Sequence, residues 1–220
     1  TLPFEEDLRC LTITAAGDVF GAGADLTRLS GDESDTPTFR KLASRLHDAV
    51  SHLHRAPVPI VVGVDGVAAG AGFSIALLGD IVLLSDEARM EFAYPRLGLT
   101  GDGGSTFLLP RLVGLRRAKE IVLRDEPIGP ERAVELGLAS SVVPAAELDD
   151  RVSETAAELA TGPTWAMART TRLLEESFDR GLESQLAAET EAITAATRTE
   201  DYKRAYEAFF DKRDPEFVGR

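Results

Sequence analysis

Apolar positions along the first half of the chain alternate between two rhythms. LTITA (11–15) is a short β-branched run, and PIVVGVD (59–65) and IVLLS (81–85) are almost continuously apolar. That is the pattern of short strands buried on both faces of a parallel sheet. Between them, TPTFRKLASRLHDAVSHL (36–53) repeats Phe39, Leu42, Leu46, Ala49, Val50 and Leu53 at helical spacing, with Thr36 as a candidate N-cap and Pro37 at the first helical position. GAGFSIALLGD (70–80) reads as a helix of small residues. Strand and helix in this alternation predict an α/β fold with largely parallel pairing. From residue 114 the rhythm becomes helical throughout: GLRRAKEIVL, GPERAVELG, AELDDRVSETAAELA, PTWAMARTTRLLEESF, GLESQLAAETEAITAAT and EDYKRAYEAFFDKR are separated by Gly and Pro. The last of these carries Tyr202, Tyr206, Phe209 and Phe210, which fit either a docking face or packing within the domain.

Composition narrows the class. With 220 residues, 44% apolar and 28% charged, the chain fits one domain, or a domain with an appendage, around a single large core. No run approaches the 18 apolar residues of a membrane span, and TLPFEEDLRC lacks the basic and apolar segments of a signal peptide, so a cytoplasmic protein with no membrane partner is expected. A net charge of −13 speaks against nucleic acid, which is bound through clustered Lys and Arg. Lysine occurs only at 41, 119, 203 and 212; few lysines among many acids suit a hydrated surface in high salt, and equally a GC-rich genome. The single cysteine, Cys10, has no CxxC or Cys/His companion and reads as a small hydrophobe beside a strand, so no metal is expected.

Three glycine-rich turns hold the candidate chemistry. VFGAGADL (19–26) and GVAAGAG (66–72) each follow a strand, and such turns leave N–H groups free to face a ligand. Neither has the Gly-Lys-Ser/Thr ending of a phosphate loop or the third glycine of a dinucleotide fingerprint. In LGLTGDGGSTFLLPRL (97–112), Asp102 stands before Gly-Gly and an apolar run, the position of an ordinary helix N-cap.

Taken together, VFGAGADL, VDGVAAGAGFSIALLGDIVLLS, LGLTGDGGSTFLLPRLVG and FFDKRDPEFVGR resemble, in order and spacing, the enoyl-CoA hydratase/isomerase (crotonase) superfamily from about Leu11 to the C-terminus. The resemblance implies a ββα-spiral core over residues 1–145 and a helical trimerisation region over 146–220. It implies a homotrimer or dimer of trimers, and an acyl-CoA thioester as substrate with no separate cofactor. The backbone N–H groups of Ala24 and Ala71 would then bond the thioester carbonyl. Ala22, Gly23, Asp25, Leu26 and Gly70 would line the substrate, Lys212 would be a candidate for the CoA phosphate, and Tyr94 would close the acyl pocket or donate a hydrogen bond to it.

The same comparison separates members of the family. Hydratases use two glutamates because adding water needs both activation of the water and protonation of carbon; here Ser74 stands at the first position and Tyr94, in EFAYPRLG, at the second. A plain hydratase is therefore disfavoured. Asp102 matches the acidic position of the family's double-bond isomerases and of ring-isomerising enzymes of phenylacetate breakdown, where one carboxylate carries the proton both ways. The rival readings are a hydratase, hydrolase or lyase in which Asp102 activates water, and a non-catalytic acyl-CoA binder. Glu91 is expected on a solvated face, Asp65, Asp80 and Asp86 in turns, His47, His52 and His54 on the helix surface, and Trp165 in the core. Family chains carry an opening β-hairpin ahead of the stretch matching FEEDLRCLTI, so the sequence reads as a piece of a longer product or as the ordered part of one.

Overall fold

Short apolar runs become strands where hydrogen-bonded neighbours flank them. The computed structural model describes residues 7–220, so the first six positions of the expected 1–145 core lie outside it. In chain order it places β1 (Leu11–Ile13), α1 (Thr36–His54), β2 (Ile60–Val64), β3 (Val67–Ala69), α2 (Ala71–Ala76), β4 (Ile81–Ser85) and β5 (Arg89–Glu91). After these come α3 (Ser105–Val113), α4 (Leu115–Arg124), α5 (Pro130–Leu136), β6 (Ser141–Val143), α6 (Leu148–Thr161), α7 (Thr164–Glu176), α8 (Leu182–Ala196) and α9 (Glu200–Asp211).

Among the described residues one sheet has the order β1-β2-β4-β6. β2 and β4 pair in parallel from Val61 with Ile81 to Val64 with Leu84, and β4 pairs in parallel with β6. β2 is buried along its whole length, as its unbroken apolar run requires. A second, two-stranded layer pairs β3 with β5, Ala69 opposite Glu91. Twice, then, the chain runs from the larger sheet to the smaller and then into a helix. Phe73, Leu84, Met90 and Leu109 fill the interior.

Helix α1 departs from expectation in two ways. Its N-cap is Asp35, one residue before Thr36, so Pro37 falls at the second helical position. The Asp35 carboxylate is already committed to the N–H groups of Ser30 (2.9 Å) and Gly31 (2.8 Å). No residue of α1 is fully buried, because its apolar stripe lines a cavity instead of the core.

The described residues group into two compact units, one of residues 12–55 and 60–153, the other of 7–11, 56–59 and 154–220. In the second, α9 starts at Thr199, whose hydroxyl accepts the Tyr202 N–H (3.1 Å). Buried Asp201 accepts the N–H groups of Val218 (2.6 Å) and Gly219 (2.9 Å), folding the C-terminal tail back on the helix. Trp165 is half-buried, not core: it lines a groove with Leu173, Leu186 and Ile193, where α7 and α8 leave room for a wide ring. Tyr202, Tyr206, Phe209 and Phe210 stay exposed in a row of touching rings. Among the described residues no helix is long and apolar enough to cross a membrane.

Candidate active site

Two glycine turns approach each other so closely that side chains are excluded. Bridges Val19–Gly66 and Gly21–Ala68 lay the first turn along β3. The Ala69 N–H donates to the Gly21 carbonyl (2.7 Å) and the Gly21 N–H to the Val67 carbonyl (3.0 Å). A Cβ on Gly72 would fall 2.2 Å from the Gly21 oxygen. Gly23 (φ +90°) and Gly70 (φ +55°) occupy conformations that favour glycine, and a Cβ on Gly23 would lie 3.5 Å from the Ala71 nitrogen. Among the described residues the N–H groups of Ala24 and Ala71 have no acceptor; Ala71 is the first residue of α2, where helical N–H groups lack partners. Two unspent donors thus sit on two touching turns.

Ala22, Gly23, Ala24, Leu26, Gly70 and Ala71 line a cavity of about 240 Å³ together with Tyr94 and Asp102. Phe39, Leu42, Ala43 and Leu46 from α1 close one side of it, and Ala93, Leu97 and Leu99 another. A roomier compartment of about 920 Å³ shares Leu26, Phe39, Tyr94, Leu97 and Asp102 and reaches into the 29–36 loop. An apolar chamber with two amides and one carboxylate can hold a carbonyl oxygen and move a proton near it.

Asp102 does not cap α3. The N-cap is Gly104, with no side-chain cap, and it is the main-chain oxygen of Asp102 that accepts from Ser105 N–H (3.1 Å), Ser105 Oγ (2.9 Å) and Ser74 Oγ (2.9 Å). The carboxylate is left for other work. Its Oδ1 accepts the Tyr94 hydroxyl at 2.7 Å, and its Oδ2 lies 3.8 Å from His47 Nε2. Burial pushes the Tyr94 phenol up to about 12, and the bond to Asp102 adds to the rise, so this hydroxyl stays a donor through the neutral range.

Segment 91–97, which carries Ala93 and Tyr94 to the cavity, is held from behind. Glu91 was expected on a solvated face, yet it is buried, because Arg89 (2.7 Å) and Arg96 both pair with it. Arg96 also reaches Asp125 (3.0 Å), whose Oδ1 accepts the Ala93 N–H (2.7 Å). Of the acids expected in turns, Asp65 accepts from the next residue, Gly66, whereas Asp80 and Asp86 tie distant segments together by accepting from the N–H groups of Ile60 and Ala145. Two residues expected to contact the substrate are set by local hydrogen bonds. Asp25 does not line the 240 Å³ cavity; it caps the short turn Leu26–Arg28 by accepting from Thr27, bonds that hold its carboxyl below the usual range. Lys212 lies in the helical unit, in the left-handed position that ends α9.

Residues 2–220 match the Enoyl-CoA hydratase/isomerase family. It belongs to the enoyl-CoA hydratase/isomerase (crotonase) superfamily. An Escherichia coli K12 protein named 1,2-epoxyphenylacetyl-CoA isomerase is 35% identical over 98% of this chain and 83% of its own length. A Rhodobacter capsulatus protein named "Probable enoyl-CoA hydratase" is 32% identical over 97% of this chain and 82% of its own. The crystal structure of an enoyl-CoA hydratase from Bacillus anthracis superposes with a TM-score of 0.90 at 28% identity, covering 99% of this chain and 84% of that one. The two layers and their helices are thus the crotonase fold. Within this superfamily the chain's Ser74 and Tyr94 do not supply acids of their own; both hold Asp102, one by its main chain and one by its carboxylate. His47, expected on the helix surface, is exposed there, and its Nε2 accepts the Gly103 N–H at 3.3 Å, a contact the sequence reading did not foresee. The available signal was its place next to Leu46 in the apolar stripe of α1.

Proposed function

We propose that this crotonase-superfamily protein is an acyl-CoA isomerase that shifts a C=C bond of an enoyl-CoA thioester, with Asp102 as its proton shuttle. The observation that carries the reading is the carboxylate itself: it lines the same cavity as the two unspent amides, with one oxygen tied to Tyr94 and the other open. The thioester oxygen would accept from the N–H groups of Ala24 and Ala71, donors that strengthen as enolate charge develops; each such donor is worth about 3 kcal/mol in the transition state. Asp102 Oδ2 then takes a proton from the carbon next to the thioester or from the one beyond the double bond. The dienolate is held, and the same oxygen returns the proton two carbons away. The relative named as an isomerase supports this reading, whereas the one named as a hydratase keeps water addition as its rival. No cofactor beyond the substrate's own CoA is needed.

The reading is tested by incubating the purified protein with 3-enoyl-CoA and 2-enoyl-CoA of several chain lengths. Interconversion without 3-hydroxyacyl-CoA is the expected result. Net hydration would transfer the role of Asp102 to water activation, and CoA binding without turnover would make the protein a binder. Self-association is part of the same reading: the exposed rings of Tyr202, Tyr206, Phe209 and Phe210 make an apolar face that a second copy would cover. Sedimentation is expected to give the mass of a trimer or its double; a monomer at micromolar concentration would exclude it.

A further inference from the structure

We infer that His47 is a positioning residue for Asp102: its neutral imidazole, by accepting the Gly103 N–H, leaves Oδ2 of Asp102 open to carry the proton, and protonation of the ring closes that oxygen off. The inference rests on Asp102 being the shuttle.

The geometry fixes the ring's state. A backbone N–H can only donate, and that of Gly103 points at His47 Nε2 from 3.3 Å. Nε2 therefore carries a lone pair, and the proton of the neutral ring is on Nδ1. Such a ring gives nothing to Asp102 Oδ2, 3.8 Å away, while Oδ1 is already occupied by the Tyr94 hydroxyl. The two carboxylate oxygens are thereby divided between anchoring and chemistry. Gly103 sits at φ +59°, directly after Asp102, and a Cβ there would fall 2.9 Å from Ser74 Cβ, so its amide is fixed on one side by packing and on the other by His47.

Protonation would put a hydrogen on Nε2. The Gly103 bond is then lost and Oδ2 gains a charged donor, and a carboxylate beside a cation is a weaker base. With its side chain about half exposed (52%), the ring can exchange its proton with solvent. The titratable and charged groups around it are few. Asp102 faces it from the loop before α3, with the Tyr94 phenol beyond. On α1, Asp48 is its chain neighbour, Arg40 lies two turns earlier on the same side and His54 two turns later.

Three variants and one spectrum test this. In the wild type, kcat for isomerisation should fall on the acid side. His47→Gln places a non-titrating amide oxygen near Nε2; it should shift that fall to lower pH. His47→Ala should lower kcat about tenfold with KM nearly unchanged, the size of one lost hydrogen bond, and Gln should recover most of that loss. Nitrogen-15 spectra of labelled histidine, with three rings to assign by difference, should show His47 as the Nδ1–H tautomer at neutral pH. A wild-type acid limb retained in His47→Gln, or an Nε2–H tautomer, overturns the inference. If Asp102→Asn isomerises normally, it is the shuttle that fails, and the spectrum still reports on the Gly103 bond.

Discussion

Asp102→Asn is expected to cut isomerisation by about a thousandfold while the protein stays folded and still binds acyl-CoA. The amide has the shape of the carboxylate and can accept the Tyr94 hydroxyl, so the bond now 2.7 Å long survives. The main-chain oxygen, which anchors Ser74 and Ser105, is not changed at all. What disappears is basicity. Positioned acid–base catalysis contributes about 10² to 10⁴ in rate, and neither Ser74 nor Tyr94 can replace it, since the phenol holds its proton up to about 12. Two measurements check the prediction: the rate with 3-enoyl-CoA, and deuterium uptake from heavy water at the carbons flanking the double bond. Both should collapse together with KM nearly constant. Isomerisation within tenfold of the wild type would remove Asp102 from the mechanism.

The sequence revealed more of the frame than of the site, for physical reasons that differ from residue to residue. Ile60–Val64 and Ile81–Ser85 announce themselves because a strand buried on both faces must be apolar throughout. The two glycine turns were legible as turns, but their meeting depends on segment 19–21 pairing with β3, a contact between residues 47 positions apart. Asp102 illustrates a limit of local reading: Asp before Gly-Gly predicts a cap, whereas its side chain is claimed by Tyr94 and the cap position by Gly104. Glu91 looked exposed because a lone carboxylate avoids burial; Arg89 and Arg96 together make burial tolerable, and only the fold brings Arg96 there. The contact of His47 with the Gly103 N–H escaped because a half-exposed ring at the margin of the α1 stripe looks in sequence like any surface histidine, and only the fold brings Gly103 beside it.

Gly72→Ala should lower kcat/KM about a hundredfold with a smaller cost in stability. Alanine is the better helix former by about 1 kcal/mol, and Gly72 lies inside α2, so local propensity favours the change. Space does not. The new methyl would fall 2.2 Å from the Gly21 oxygen, 2.7 Å from its carbonyl carbon and 2.9 Å from its Cα, all of them backbone atoms that no rotamer change can remove. Gly21 is also pinned to β3 through Ala69 N–H and the Val67 carbonyl. Relief therefore comes from moving the 20–24 turn away from α2, which separates the amides of Ala24 and Ala71. Overpacking of this kind costs about 1 to 3 kcal/mol, partly offset by propensity, whereas misaiming one of two donors costs about 3 kcal/mol of transition-state binding. Gly17→Ala is the control, in an exposed loop with a φ outside the left-handed region and nothing within 4 Å of the new methyl, and it should leave both activity and melting temperature close to those of the wild type. If Gly72→Ala stays folded and turns over normally, the juxtaposed turns are a packing feature alone, and the thioester oxygen must be held elsewhere.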